Sequence, residues 1–323
     1  MELRQVKTFR TVARELSFSR AAASLGYVQS SVSSQVASLE RELGVPLFDR
    51  LGRRITLTEP GKVMLAYSER LLGLAEEAEE AVADAGTGAG EIAGSLSLSA
   101  PETLLTYRLP ALLALFHERY PKVRLSLKPT AVGKLLGSTR KALERGQVDV
   151  ALVLDIPSVS IAGLSAEVLV EEAVSVVAPS AHTLANSTVV IPSDLFGETV
   201  LLPEAPESGC AYRGRFERQL SEGGVVPGET LEFQSIEAIK RCVSAGMGVS
   251  VLPTVAVQTE LVSGSLSELR WREPIRVGTL MAWNSERWAS PALRAFLQTA
   301  REVFSALGTP PRRRVPGSAP RAL

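Results

Sequence analysis

The sequence predicts an α/β multidomain chain in which a small helical module, one long helix and a two-lobed α/β region follow one another. Three observations predict it. Residues 17–43 read as two short helices joined by a tight turn. Residues 64–85 carry an apolar seam of helical period. From residue 96 to about 305, strand-like and helix-like segments alternate. At 323 residues the chain can hold two or three units, each with its own core.

Leu3, Val6, Phe9, Val12, Ala13 and Leu16 recur at helical spacing and give a first amphipathic helix. A second runs from about Ser19 to Leu25, with Ser17 or Ser19 as N-cap and Gly26 as its stop. The third begins near Gln29 and turns Val32, Val36, Leu39 and Leu43 inward. Gln29, Ser30, Ser33, Ser34 and Arg41 fall largely on its other faces. Next, GVPLFDRLGRRITLTEPG has the Pro and Gly breaks and the Ile55/Leu57 alternation of a small hairpin, or wing.

From about Pro60 a long helix runs to about Ala85, roughly 37 Å at 1.5 Å per residue. Met64, Tyr67, Leu71, Leu74, Ala78, Ala81 and Ala85 alternate steps of three and four along it. Such a seam calls for a partner helix, and a second copy of the chain is the simplest supply; packing against its own chain is the alternative. GTGAGEIAG (86–94) has linker composition.

Strands are expected at Leu96–Ser99, Val123–Lys128 and Val148–Val153, with helices near 103–119 and 134–145 between them. Glu167–Val170, Val174–Ala178 and Thr199–Leu202 are the next strands. A helix near 211–221, a strand near 230–233, a helix at 235–245 and a strand at 249–252 follow. The chain returns through a strand near 275–283 and ends in a helix near 291–305. A chain that leaves one sheet and comes back implies two lobes with a cleft between. TPPRRRVPGSAPRAL (309–323) is Pro-rich and reads as a solvated tail, although Arg312–Arg314 could touch phosphate.

Hydrophobic residues make up 45% and charged residues 22%, and the net charge is zero, so the whole molecule is no general polyanion binder. The charge is unevenly placed. Residues 1–62 carry ten basic and six acidic side chains, whereas Glu69, Glu76, Glu77, Glu79, Glu80 and Asp84 follow directly. The polyanion contact therefore belongs to the N-terminus. Cys210 and Cys242 have neither disulfide-framework nor zinc spacing. No metal or other cofactor is expected. An apolar signal region and a run of roughly 18 apolar residues are both absent, which predicts a cytoplasmic protein without a membrane partner.

A polar run at the start of a second helix is how a helix-turn-helix addresses the floor of the DNA major groove. Gln can pair bidentately with adenine, and Ser can bond to several bases. Gln29, Ser30, Ser33 and Ser34 are the candidate base contacts, with Gln35 and Ser38 as phosphate or peripheral contacts. Ser is a mediocre helix former, so five within nine residues need a reason beyond exposure. Arg50, Arg53 and Arg54 on the wing would meet backbone phosphates.

Residues 1–62, MELRQVKTFRTVARELSFSRAAASLGYVQSSVSSQVASLERELGVPLFDRLGRRITLTEPGK, resemble the N-terminal domain of LysR-type transcriptional regulators nearly position by position. VDVAL (148–152), SIEAIKRCVSAGMGVSVLP (235–253) and the return strand extend the resemblance to about residue 305. It implies a winged helix-turn-helix (1–60), a dimerisation linker helix and hinge (61–94), and an effector-binding domain like a type II periplasmic binding protein (95–305). Lobe I of that domain would span about 95–158 and 270–305, and lobe II about 159–269. The tail would be 306–323. The partners implied are double-stranded promoter DNA, a small-molecule effector, a second copy of the chain in a homodimer or homotetramer, and RNA polymerase. The recognition helix departs from the common family pattern: Val28 stands where Ser is frequent, Ser30 where Pro is, and Ser34 where Arg or Lys is. Gln29, Ser33 and Gln35 match.

Three helix starts could converge on the cleft: Ala100–Thr103, Gly209–Tyr212 and Ser235–Ile236. The resemblance lines the pocket with the first of these and the loop around Thr130. Ser99, Glu102, Thr103, Thr130, Gly209 and Cys210 are the candidate effector contacts, with Arg213 as a carboxylate partner. A small organic acid is the favoured ligand; Glu102 keeps an amino acid open. Thr103 could instead merely cap its helix, and Glu102 merely favour the dipole. Cys210 at a helix start could be an activated thiolate and a redox sensor, with or without Cys242. A small pocket-wall residue is the reading we favour, because free Cys is among the most buried types.

An enzyme is not expected: His117 and His182 are the only histidines, and no nucleophile elbow or phosphate loop occurs. An architectural DNA-binding protein would not require so long a two-lobed region. A periplasmic solute-binding protein would not carry the N-terminal DNA reader.

Overall fold

A computed structural model of the protein describes residues 1–51, 54–87, 91–130, 137–157, 163–203 and 209–308. The chain forms two compact units, one chiefly Met1–Gly90 and the other the chain from Glu91 onward.

In the first unit, α1 (Leu3–Glu15), α2 (Phe18–Leu25) and α3 (Gln29–Leu43) precede the antiparallel strands β1 (Phe48–Leu51) and β2 (Arg54–Leu57). Helix α4 (Glu59–Thr87) follows. The α2–α3 turn is set by two local devices. The Ser17 hydroxyl accepts from the Arg20 N–H, and Gly26 takes the left-handed conformation at φ +67°. Val6, Phe9, Val12, Phe18, Ala21, Val32, Val36 and Leu39 are buried together, with Phe9 and Phe18 against the Phe48 ring. Leu3, Leu16 and Leu43, expected on the inner faces, lie at the helix ends and are 40–51% exposed.

Glu40 ties α3 to the wing by accepting from the Leu47 and Phe48 N–H groups at 2.8 and 3.2 Å. Thr58 caps α4, accepting from the Gly61 N–H and donating to the Pro46 carbonyl. Gly61 lies so close to Leu47 that a Cβ there would fall inside the contact radius of the Leu47 carbonyl oxygen.

The second unit holds a nine-stranded mixed sheet among the described residues, in the order β4-β3-β5-β11-β6-β9-β7-β8, with β10 also on β6. The first group is β3 (Gly94–Pro101), β4 (Val123–Thr130) and β5 (Val150–Asp155), covered by α5 (Glu102–Tyr107), α6 (Leu109–Arg119) and α7 (Ser138–Glu144). The second is β7 (Thr199–Pro203), β8 (Glu229–Phe233), β9 (Val249–Pro253) and β10 (Leu266–Leu269). Helices α8 (Ala211–Glu222), α9 (Ile236–Ser244) and α10 (Thr254–Ser263) accompany it. β6 (Leu164–Pro179) and β11 (Ile275–Asn284) pair along their length and join the two groups. The final helix is α11 (Pro291–Ser305).

Three sequence expectations need correction. The helix near 103–119 is two helices, because Pro110 has no N–H to continue the first; the break falls at Arg108. Glu167–Val170 and Val174–Ala178 are one strand. The Glu171–Glu172 interruption in the apolar pattern is absorbed because Glu172, 2% exposed, accepts from Arg108 Nε and Nη2 at 2.8 and 2.5 Å and from the Thr279 hydroxyl at 3.0 Å. Helix α10 and strand β10 were missed, although Ala256, Val257 and the left-handed Gly264 mark them. Part of the linker (88–90) and the tail from 309, with Arg312–Arg314, lie outside the described residues.

Two outcomes follow for stability. Gly61→Ala should lower the urea midpoint of the first unit, at a cost of about 1–3 kcal/mol from overpacking against backbone. Arg108→Ala should cost the second unit about 3 kcal/mol, because it leaves Glu172 charged and buried with only Thr279. A loss well below about 1 kcal/mol in denaturant titrations would mean that water reaches that carboxylate.

Candidate nucleic-acid interface and effector cleft

Helix α3 sorts its residues by what each face touches. Val32, Val36 and Leu39 are 0% exposed and define the inner stripe. At about 100° per residue, Ser30, Ser34 and Arg41 stand directly opposite, and all three are exposed. Ser33 lies on the flank and is half-buried. Gln29 is exposed but leans toward α2, and its Oε1 accepts from the Ser19 hydroxyl at 3.1 Å. The carbonyl keeps a second lone pair and the amide its donors, so a base contact stays open to it.

Gln35 and Ser38 serve inside the unit. The buried Thr8 hydroxyl donates to Gln35 Oε1 at 2.7 Å, and Gln5 Nε2 donates to the Ser38 hydroxyl at 3.3 Å. These contacts hold α1 against α3, a role the sequence reading did not give them. On the wing, Arg50 and Arg54 belong to the paired strands. Their side chains, and Arg53 altogether, lie outside the described residues.

Helix α4 shows two apolar faces. Met64 and Leu72 are buried in the core of their own unit, so Met64 leaves the proposed seam. Val63, Tyr67, Leu74 and Val82 are 54–74% exposed, with Ala78 beside them; Leu71 and Ala81 are half-buried. That exposed stripe is what remains for a partner.

In the second unit, α5, α8 and α9 meet at one place. The Ser235 hydroxyl, at the N-cap of α9, donates to Glu102 Oε1 at 3.5 Å. The Tyr212 phenol is fully buried and its pKa is raised well above the ordinary value. Burial is the main cause, and the nearby Cys210 thiol and Glu102 charge add to it. Ser99, Thr103 and Cys210 are 2%, 1% and 3% exposed; Glu102 and Gly209 are half-buried. The side chain of Thr130 lies outside the described residues. Thr103 does not cap α5, and among the described residues its buried hydroxyl meets no acceptor; the Tyr212 hydroxyl has only the Cys210 thiol.

Arg213 does not wait for a ligand. It donates to Glu217 at 2.7 Å, to Glu232 at 2.6 Å and to the Pro203 carbonyl at 2.7 Å, with its side chain 10% exposed. Its position at the head of α8 was legible in sequence, but the two glutamates that occupy it were not. Cys210 likewise departs from the activated-thiolate reading. Burial drives its pKa up to about 11, and the neighbouring Arg213 and Tyr212 N–H groups offset only part of that.

Sequence reasoning missed a second contact between the same helices. Lys240 on α9, buried, donates to the Tyr107 phenol and the Ala256 carbonyl, both at 2.9 Å, and pairs with Glu237 at 2.7 Å and Glu260 at 3.0 Å. Tyr107 also donates to Glu237. Burial alone works against the Lys240 charge, but the hydrogen bonds outweigh it and its pKa is raised. Among the described residues no cluster of His, Cys, Asp and Glu is arranged to hold a metal, and no helix is long and apolar enough to cross a membrane.

Comparison with known proteins gives the family. The model for the bacterial regulatory helix-turn-helix protein, lysR family, matches residues 3–62, and that for the LysR substrate binding domain matches residues 89–305. The HTH-type transcriptional regulator YwqM of Bacillus subtilis (strain 168) is 39% identical over 304 residues, which cover 94% of this chain and 100% of that one. A full-length OxyR variant from Pseudomonas aeruginosa aligns with a TM-score of 0.69 at 25% identity, covering 94% of each chain. CbnR complexed with its target DNA aligns with a TM-score of 0.67 at 21% identity, covering 94% of this chain and 100% of that one. The chain belongs to the LysR family: it is a DNA-binding transcriptional regulator, not an enzyme, in which a winged helix-turn-helix is joined to a two-lobed effector-binding domain.

Proposed function

We propose that the regulator reads promoter DNA in the cytoplasm through Gln29, Ser30, Ser33 and Ser34 at the head of α3. Arg50, Arg53 and Arg54 hold the flanking phosphates, and Gln35 makes its phosphate contact through the amide while keeping Thr8. The observation that carries this reading is the polar stripe of α3, set opposite its buried Val32–Val36–Leu39 stripe. Base-edge contacts specify the site, and backbone contacts fix the register. The DNA reader then spans 1–60, the dimerisation helix and hinge 61–94 and the effector domain 95–305, with lobes at about 95–158 plus 270–305 and about 159–269.

Copies associate through the exposed stripe of α4, as homodimers that build a homotetramer. A small organic acid or amino acid enters between the lobes beside Ser99, Glu102, Thr103, Gly209 and Cys210, with Thr130 at the rim. Its binding shifts the population of lobe arrangements and thereby the spacing of paired recognition helices on the promoter. RNA polymerase is the partner that reads the outcome. A redox reading of Cys210 is disfavoured by its burial and raised pKa.

Gln29→Ala should cost roughly 1–3 kcal/mol at one base position and relax specificity there. An equal loss on every sequence in a binding titration would remove it from base readout. Arg53→Ala should instead weaken binding uniformly and flatten the salt slope by about one unit. For Cys210, a pKa of about 11 leaves about one thiolate in a thousand at pH 8. Mass spectrometry after brief alkylation of the folded protein should find it unmodified; rapid labelling would restore the sensor reading.

A further inference from the structure

The polar groups gathered at Glu102 narrow the chemistry of the ligand. Glu102 is half-buried, and among the described residues no Lys or Arg pairs with it. Its one described hydrogen bond, from Ser235, is long at 3.5 Å. A carboxylate can accept about four hydrogen bonds, so it has capacity for a strong donor. Arg213, the cation at the head of α8, is taken by Glu217, Glu232 and the Pro203 carbonyl. A ligand that is only an anion would therefore meet an uncompensated negative charge here.

Near Glu102 stand two hydroxyls that lack a strong acceptor. Thr103 is 1% exposed and its hydroxyl meets no acceptor among the described residues; Tyr212 is 0% exposed. Tyr212 has only the weakly accepting Cys210 thiol beside it. Unpaired buried hydroxyls are rare in folded proteins, and each costs about 1–3 kcal/mol unless something meets it. Helices α8 and α9 both begin here without a side-chain cap, which adds positive potential on the same side as the hydroxyls.

We propose that the effector is an α-amino acid, its ammonium group on the Glu102 carboxylate and its carboxylate on the Thr103 and Tyr212 hydroxyls at the uncapped starts of α8 and α9. This rests on the effector-cleft reading above. One carboxylate acceptor with a hydroxyl next to it in sequence and a second on the facing helix start matches the ammonium and carboxylate carried on one α-carbon. A plain carboxylic acid satisfies only the hydroxyls, and a plain amine only Glu102.

The test is calorimetric titration of the full-length protein with each of the twenty L-α-amino acids. Each is run beside the acid lacking its amino group and the amine lacking its carboxylate. One or a few amino acids should bind, and the two truncated analogues should bind about 100-fold more weakly. Glu102→Gln should abolish the preference over the deaminated acid. Thr103→Val and Tyr212→Phe, which keep the side-chain shape, should each weaken the amino acid about 10-fold. Deaminated acids binding as well as the amino acids, or no amino acid binding, would overturn the class. In the first case weakening by Tyr212→Phe would still keep the ligand in the cleft. Amino-acid binding indifferent to all three substitutions would overturn the cleft reading itself.

Discussion

Glu172 sits near the middle of β6 with its carboxylate inside the second unit, where a charge is tolerated only if the fold supplies its hydrogen bonds. Arg108 supplies two from the corner between α5 and α6, and Thr279 supplies one from β11. Three elements distant in sequence are thus referred to one atom group. The corner fixes where α5 points, and α5 carries Glu102 and Thr103. The β11 contact lies where the β11–β6 register shifts, between Thr279 and Leu280. Without this node the long strands could still pair. The α5–α6 corner would then lose its charged tie to them, and α5 would rest on its packing and on Tyr107 and Glu102.

The two recognition surfaces arise from opposite physical situations. On α3 the residues proposed to face DNA are what the core leaves over: three side chains lock the helix inward, and the outward stripe is free to carry hydroxyls and Arg41. Nothing is strained, and the groups are already hydrated before DNA arrives. At Glu102 the polar groups are buried or half-buried, and among the described residues the Thr103 hydroxyl meets no acceptor and Tyr212 only the Cys210 thiol. Hydrogen bonds made at such a site gain strength from the low local dielectric. The first surface suits a large polyanion that many weak contacts hold. The second suits a small molecule that a few specific contacts must discriminate.

Much of the fold was legible because its signals are local. Ser17, Gly26 and the Val32–Val36–Leu39 spacing mark the helix-turn-helix without reference to anything distant. The same holds for the heptad steps of α4, although sequence could not divide that helix between its own core and a free stripe, since Met64 and Tyr67 look alike in period and differ only in what lies beside them. The three helix starts suspected of approaching one another do meet around Glu102. What escaped was pairing between distant charges. Arg213 reads as an open cation until Glu217 and Glu232 are seen on it, and Lys240 reads as a surface residue until Tyr107 and Glu260 enclose it. Glu171–Glu172 reads as a strand break for the same reason. Sequence periodicity records which side of an element is apolar, but it is silent on which charge will be neutralised by which.

The contacts between α5 and α9 differ sharply in strength along their length. At one end the Ser235 hydroxyl reaches Glu102 at 3.5 Å, a contact at the edge of hydrogen-bonding distance. At the other, Tyr107 is held by Glu237 and by a buried Lys240 that also binds Glu260 and the Ala256 carbonyl. Parting the second end would take the Tyr107 phenol away from Lys240 and Glu237, while Lys240 kept Glu237, Glu260 and the Ala256 carbonyl. The contact between the two helices is therefore weaker at Glu102 and Ser235 than at Tyr107. A ligand on Glu102, as proposed, would compete with Ser235 for the same carboxylate at that weaker end. Its affinity must then differ between the arrangement in which that contact is made and the one in which it is broken, and only such a difference allows binding to shift a population. The proposed ligand site thus coincides with the weakest polar contact between α5 and α9, the one a ligand can replace at least cost.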